Sequence, residues 1–318
     1  MLSTLTFFLV APDLTKNMLL NLLRMFMASQ LVVVGSLAES ASAGTGDKIR
    51  VLIIDGQHNH KWRETTPFLK QQLEKSGRFS VDVSSNLKAN DKPGDVPTVP
   101  FPPDLTKYQV VISNYNGAAW PADFRKTFEQ QVRDGKLGFV LFHAANNCFS
   151  DWPEFNRMVG MAWRNAKFGD RLYLDEKGKT VRVPKGEGSN TGETNHPYAI
   201  VLRDTEHPIS KGMPGEWMHA KDQLMHNLRG PVEDVRVLAT AFCPQTKVHE
   251  PIVWTVAFGK GRIVQTPMGH DVFAMRCVGF ITTMERSVEW AATGKVSVSI
   301  PDNFPAAAKA SQIAEKKK

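Results

Sequence analysis

Arg50-Val-Leu-Ile-Ile-Asp-Gly56 is a short apolar run closed by glycine, the pattern of a strand buried on both faces of a parallel sheet. Downstream of it, Trp62, Phe68, Leu69 and Leu73 mark a helix over residues 62–76, with Gly77 as its stop and Pro67 tolerated near its start. Phe79-Ser-Val-Asp-Val83 alternates as a second strand, Tyr108–Ser113 reads as a third, and Leu137-Gly-Phe-Val-Leu-Phe142 as a fourth. A helix opened by Pro121 spans Ala122–Arg133. Strand and helix alternating at this spacing predict an α/β protein with a doubly wound, mostly parallel sheet. The sheet is expected to resume with Tyr198–Leu202, Val235–Ala241 and a hairpin Ile252–Val256/Arg262–Thr266 turned at Gly259-Lys-Gly261. Met275–Thr293 reads as a closing helix.

Two stretches interrupt the rhythm. Residues 89–107 carry Pro93, Pro97, Pro100, Pro102 and Pro103 and predict an irregular surface excursion. Residues 165–196 hold a hairpin over Arg171–Val183 and then a polar, glycine-rich loop, Pro184–Asn195, expected to be disordered or a lid.

The 318 residues, 42% hydrophobic and 22% charged, have an ordinary globular balance, which excludes default disorder, collagen-like repeats and coiled coil. The net charge of +7 is scattered along the chain, not gathered into a stripe, so nucleic acid is not expected as a partner. Three cysteines cannot build a disulfide framework. Met18–Leu37 is apolar apart from Arg24 and runs into Ala41-Ser-Ala43, a small-x-small site. This predicts an export signal cleaved after Ala43, with Met1, Met18 or Met25 as the start; the alternative is an uncleaved membrane anchor. The mature chain is then periplasmic or secreted, with no stable membrane insertion. It consists of a domain over residues 44–305 and a flexible basic tail over 306–318.

Histidine placement points to the site. His58 and His60 follow the first strand, His143 ends the fourth, and His270-Asp271 follows the strand at Val264. His219 lies in Trp217-Met-His-Ala-Lys-Asp222, and His249-Glu250 precede the strand at Ile252. Ligands of open α/β sheets bind beyond the carboxyl ends of the strands, so several imidazoles are predicted at one edge. No Gly-x-Gly-x-x-Gly, Walker run or Gly-x-Ser-x-Gly elbow is present. His and carboxylate are natural zinc ligands, but no HExxH motif appears, so the metal signal is weak. Cys148 is a candidate nucleophile only if its thiol is activated.

The segments Ile54-Asp-Gly-Gln-His-Asn-His60-Lys-Trp62, Phe142-His-Ala-Ala-Asn-Asn147, Asp151-Trp-Pro-Glu-Phe-Asn156, His249-Glu-Pro-Ile-Val-Trp254 and Gly259–Asp271 resemble the ThuA-like (trehalose utilisation) family. The match runs from about Lys48 to Pro301. The resemblance implies a flavodoxin-like, three-layer sheet related to class I glutamine amidotransferases. The amidotransferase cysteine is missing, in keeping with His143-Ala-Ala at the elbow position. It implies a role with trehalose, related disaccharides or their 3-keto derivatives, and a small-molecule carbohydrate as partner, a homo-oligomer being among the permitted assemblies. The residues matching the family's motifs are His60, His143, Trp152, Asp222, Glu250, Trp254, His270 and Asp271.

On a keto-sugar, cleavage starts with removal of a proton beside the carbonyl, which needs a base and a group that stabilises the enolate. His143 and His270 are the candidate base and acid, with Asp271, Asp222 or Glu250 orienting an imidazole. Trp152 and Trp254 are candidates for stacking on sugar faces, and His60 and Asp222 for binding substrate. A zinc or similar divalent ion held by some of the same histidines is the alternative source of enolate stabilisation. The competing classes are a non-catalytic carbohydrate-binding protein, a metal-dependent hydrolase of an amide or ester, and a Cys148 enzyme.

Overall fold

The computed structural model describes residues 47–96 and 98–315. The expected export signal lies outside them, as does the terminal lysine run Lys316–Lys318. β1 (Ile49–Gly56) pairs in parallel with β2 (Phe79–Ser85) on one side and β3 (Val110–Tyr115) on the other. β3 pairs in parallel with β4 (Gly138–Phe142), and β4 with β11 (Gly261–Thr266). The order β2-β1-β3-β4-β11 is the doubly wound, flavodoxin-like arrangement.

Alternating side chains send each parallel strand into two cores at once. Val51 and Ile53 face α1 (Trp62–Lys75, through Leu69 and Leu73) and α5 (Val278–Thr293, through Phe280, Met284 and Val288). Leu52 and Ile54 face α2 (Ala122–Arg133, through Phe128 and Val132) and α3 (Pro153–Val159, through Phe155). All four strand residues are fully buried. This is why the run at Arg50 shows no alternation of polarity and yet specifies its place: only a central strand covered by helices on both faces hides every side chain.

Beyond β11 the sheet turns antiparallel, through β10 (Val248–Phe258), β9 (Val235–Cys243), β7 (Gly192–Leu202) and β8 (Glu216–His226). β5 (Arg171–Leu174) and β6 (Thr180–Val183) form the expected hairpin and join β10 at His249. Three expectations are corrected. The polar loop expected over Pro184–Asn195 ends at Gly192, where β7 already begins. The rest of it is pinned down: the Arg229 guanidinium, itself fully buried, donates to the carbonyls of Glu187 (2.7 Å) and Ser189 (2.8 Å). The closing helix is two helices, α4 (Val272–Met275) and α5, broken at Arg276-Cys277. The stretch expected to be a flexible tail is held at that break, where Val278 N donates to Ser311 O (2.8 Å) and Ile313 N to Arg276 O (3.0 Å). Among the described residues no helix is long and apolar enough to cross a membrane.

Candidate metal centre

β1, β4 and β11 run parallel, so their carboxyl ends open on one edge, and each is followed by a histidine. β1 ends at Gly56, whose φ of 110° and close approach to Asn86 O (2.3 Å from where a Cβ would stand) demand glycine. The chain then loops through His58 and His60 into α1. β4 passes directly into His143, the first residue of a short 3-10 segment (His143–Asn147), with φ at 48°. A non-glycine residue in that region is strained by about 1 kcal/mol, and such strain concentrates at functional sites. β11 leads through Pro267-Met-Gly to His270, Gly269 taking φ 98° against the Phe280 ring.

The three imidazoles converge. Ring centroids lie 4.7 Å apart for His60–His143, 4.9 Å for His60–His270 and 5.1 Å for His143–His270, each pair nearly edge-on. One nitrogen from each ring falls within 4.8 Å of the other two. His58 flanks the group, 5.2 Å from His60, and its Nδ1 accepts from the His60 backbone N–H (2.9 Å).

The outward nitrogens of His143 and His270 are spoken for. His143 Nδ1 lies 3.0 Å from the Pro267 carbonyl, which can only accept, so the ring proton sits on Nδ1 and Nε2 presents a lone pair. That Nε2 is buried and has no protein partner. His270 Nδ1 faces Asp271 Oδ2 (3.4 Å), and Asp271 itself caps α4 by accepting from Ala274 N (2.9 Å). A carbonyl behind His143 and a carboxylate behind His270 match the arrangement that orients metal-ligating histidines. Burial lowers the pKa of His143 to about 4 and of His58 to about 3, and it lowers that of His60. The hydrogen bond to Asp271 raises that of His270.

Asp222 supports this edge from beneath. Its carboxylate accepts from Gly269 N (2.7 Å), His270 N (3.1 Å), Gln223 N (2.8 Å) and His219 Nε2 (2.9 Å), and both the Asp222 and His219 side chains are fully buried. Burial opposes both charges. Their partners override it: Asp222, with Cys277 beside it, lifts His219 to about 9, and His219 holds Asp222 below the usual carboxylate range. The pair is therefore an internal ion pair whose anion fixes the backbone carrying His270. A cavity of about 340 Å³ opens beside it, lined by Asn195, Lys221, Asp222, His270, Asp271 and Phe273.

Of the residues singled out from sequence, His60, His143, His270 and Asp271 come together here, with Asp222 behind them. Three do not join them. Trp152 is buried in the aromatic core under α3, and its indole N–H donates to Glu129. Trp254 is fully buried with its N–H on the Val159 carbonyl (2.9 Å). Neither can stack on a sugar. Glu250 is buried against the Arg171 guanidinium, and also accepts from Thr246 Oγ1 (2.8 Å) and Asn227 N (3.3 Å); it braces β10 and orients no imidazole. Cys148 is buried and its thiol is pushed up to about 12 by burial, the reverse of an activated nucleophile. Phe273, Lys221 and the Pro267 carbonyl escaped sequence reasoning, and a backbone acceptor leaves no signal in residue types.

Fold and site together define a doubly wound, flavodoxin-like α/β protein in which β4 ends on a histidine and three histidines meet at the carboxyl edge of the sheet. The chain belongs to the ThuA family, described as trehalose utilisation, whose family model matches residues 50–291. Solved structures similar to it include a ThuA-like protein from Parabacteroides merdae, 39% identical with a TM-score of 0.75, covering 84% of this chain and 98% of that one. A ThuA-like protein from Bacteroides uniformis shares the fold at 19% identity and a TM-score of 0.54, covering 82% and 98%. No curated protein sequence matches the chain.

Proposed function

We propose that this chain is an enzyme of carbohydrate metabolism that acts on a disaccharide of the trehalose type, or its 3-keto derivative, at a divalent metal centre held by His60, His143 and His270. The observation that carries this reading is the convergence of three imidazole nitrogens within 4.8 Å. The donor set fits a first-row ion such as zinc, since imidazole suits it and three protein ligands leave a position for substrate. The unpartnered, buried Nε2 of His143 is otherwise an uncompensated polar atom. Bound there, such an ion supplies Lewis-acid stabilisation of a developing enolate or alkoxide oxygen.

The chain's own groups do the rest. The Pro267 carbonyl fixes the His143 tautomer, and Asp271 holds the His270 ring. Asp222 locks the Gly269-His270 backbone, so the edge does not rearrange when substrate enters. Lys221 and Asp271 on the rim of the adjoining cavity offer a donor and an acceptor to sugar hydroxyls, and the exposed ring of Phe273 offers an apolar face.

One observation favours a metal-free variant of the same reading. His143 is pushed down and His270 up while their rings lie 5.1 Å apart, and a pair driven apart in this way suits a base and an acid. Incubating the chain with trehalose and with 3-keto-trehalose, with and without a chelator, separates the two. Cleavage of the keto-sugar that stops on chelation and returns with added metal is expected; cleavage indifferent to chelation assigns the work to His143 and His270 alone. No change in either sugar contradicts both.

The reading also places the activity outside the cytoplasm, on the strength of the apolar segment before Ala41-Ser-Ala43. N-terminal sequencing of the chain expressed with its leader is expected to begin at Gly44. A chain that begins at Met1, Met18 or Met25 contradicts export by cleavage.

A further inference from the structure

A second cavity, of about 760 Å³, lies where the 3-10 segment that starts at His143 runs out. Asn147, the last residue of that segment, lines it. At about 2.0 Å of rise per residue the backbone of Asn147 stands about 8 Å from that of His143. The opposite wall is the pinned end of the polar loop, at Asn190 and Thr191, and the same strand continues to Asn195 in the cavity beside His270. One continuous stretch of chain, from Asn190 to Asn195, therefore lines both cavities, the first of which holds His270.

From this arrangement we infer that the cavity is a sugar subsite, which takes one pyranose ring of a disaccharide whose other ring lies at the histidines. The inference rests on the carbohydrate reading above. Trp163 and Phe168, both partly exposed, supply flat apolar surfaces, and the Arg164 guanidinium sits 5.2 Å over the Phe168 ring and holds it. Sugar rings present apolar C–H faces and hydroxyl edges, so an aromatic wall beside amide and carboxylate groups is the matching chemistry. Asn147 and Asn165 supply amides and Asp151 an exposed carboxylate. Two of the lining residues keep an unpartnered buried polar atom, the Asn147 Oδ1 acceptor and the Arg164 Nε donor. Sugar hydroxyls, which both donate and accept, are the kind of partner each of these atoms lacks. The remaining Arg164 nitrogens are committed to the carbonyls of Asn147 (2.8 Å), Trp163 (3.0 Å) and Cys148 (2.6 Å) and to Asn156 Oδ1 (3.2 Å). The guanidinium is thus a fixed part of the wall, and a neutral ligand suits the site better than an anion.

The test is calorimetric titration of the full chain with trehalose, for wild type, Trp163→Ala and Phe168→Leu, with zinc uptake measured on each. Trp163→Ala is expected to weaken trehalose binding at least about tenfold, equivalent to about 1.4 kcal/mol. Phe168→Leu keeps the volume, loses the flat ring and weakens binding about threefold. Zinc uptake stays at the wild-type level in both, which shows that each variant folds. Wild-type affinity in both variants overturns the subsite while the carbohydrate reading stands. A wild-type chain that takes up zinc but neither binds trehalose nor binds or cleaves 3-keto-trehalose overturns the carbohydrate reading, and the subsite with it.

Discussion

Replacing His143 by alanine is expected to lower metal affinity by at least about 100-fold, because loss of a group that merely supports a ligand already costs 10–100-fold and His143 supplies a ligand nitrogen itself. Turnover should fall in step. The backbone at this position has φ at 48°, where alanine is somewhat more strained than histidine, by too little to unfold the domain. Thermal unfolding in the presence of a chelator checks this: wild type and variant should unfold within a few degrees of each other. Adding zinc should raise the midpoint of the wild type only, since a ligand stabilises the state that binds it. A variant that still takes up zinc as the wild type does removes His143 from the centre.

The largest effect on stability is expected at Asp222. Its carboxylate is fully buried and accepts four hydrogen bonds, one of them from the fully buried His219. Asp222→Ala strands that imidazolium and three backbone N–H groups, and removing one partner of a buried pair costs about 3–5 kcal/mol. Asp222→Asn keeps the volume and loses the charge, which makes the deficit depend on pH. His219 has its folded pKa raised to about 9. Its contribution is therefore full below its unfolded value of about 6.5 and is lost as pH rises through about 9. Asp222 has its folded pKa lowered, so its contribution is full above about pH 4 and is lost as pH falls below that. The wild-type advantage over Asp222→Asn should accordingly be greatest between about pH 4 and 6.5 and shrink towards pH 9. Urea unfolding at a series of pH values measures it, and a deficit that does not change with pH contradicts the ion pair.

The parallel half of this fold was legible because burial on both faces writes itself into sequence as unbroken apolar runs, as at Arg50–Gly56 and Leu137–Phe142. The histidines at strand ends were legible for the same reason, once the strands were placed. The antiparallel half was less so: β8 mixes Lys221, Asp222 and Gln223 with its apolar positions, and no clean alternation marks it. The His219–Asp222 pair shows why. Residues three apart on a regular strand point to opposite faces. Here the register slips, so that His196 opposes Asp222 while Tyr198 opposes His219. The extra residue on β8 is a bulge, and it turns both side chains to one side.

Tryptophan misled for a different reason. Motif position cannot tell a core indole from a wall of a cleft, and it singled out Trp152 and Trp254, which fill the core, while Trp163 lines a cavity. Glu250 likewise finds its partner Arg171 across 79 residues of sequence, a pairing set by where β5 meets β10 and by no local pattern.

The measurement that bears most directly on the central claim is the metal stoichiometry of the full chain, purified without chelator, loaded with zinc and freed of excess by gel filtration. One ion per chain, absent from His60→Ala, His143→Ala and His270→Ala alike, is the result expected of a three-histidine centre. A folded wild-type chain that retains no ion, or that retains one after any of the three substitutions, contradicts it.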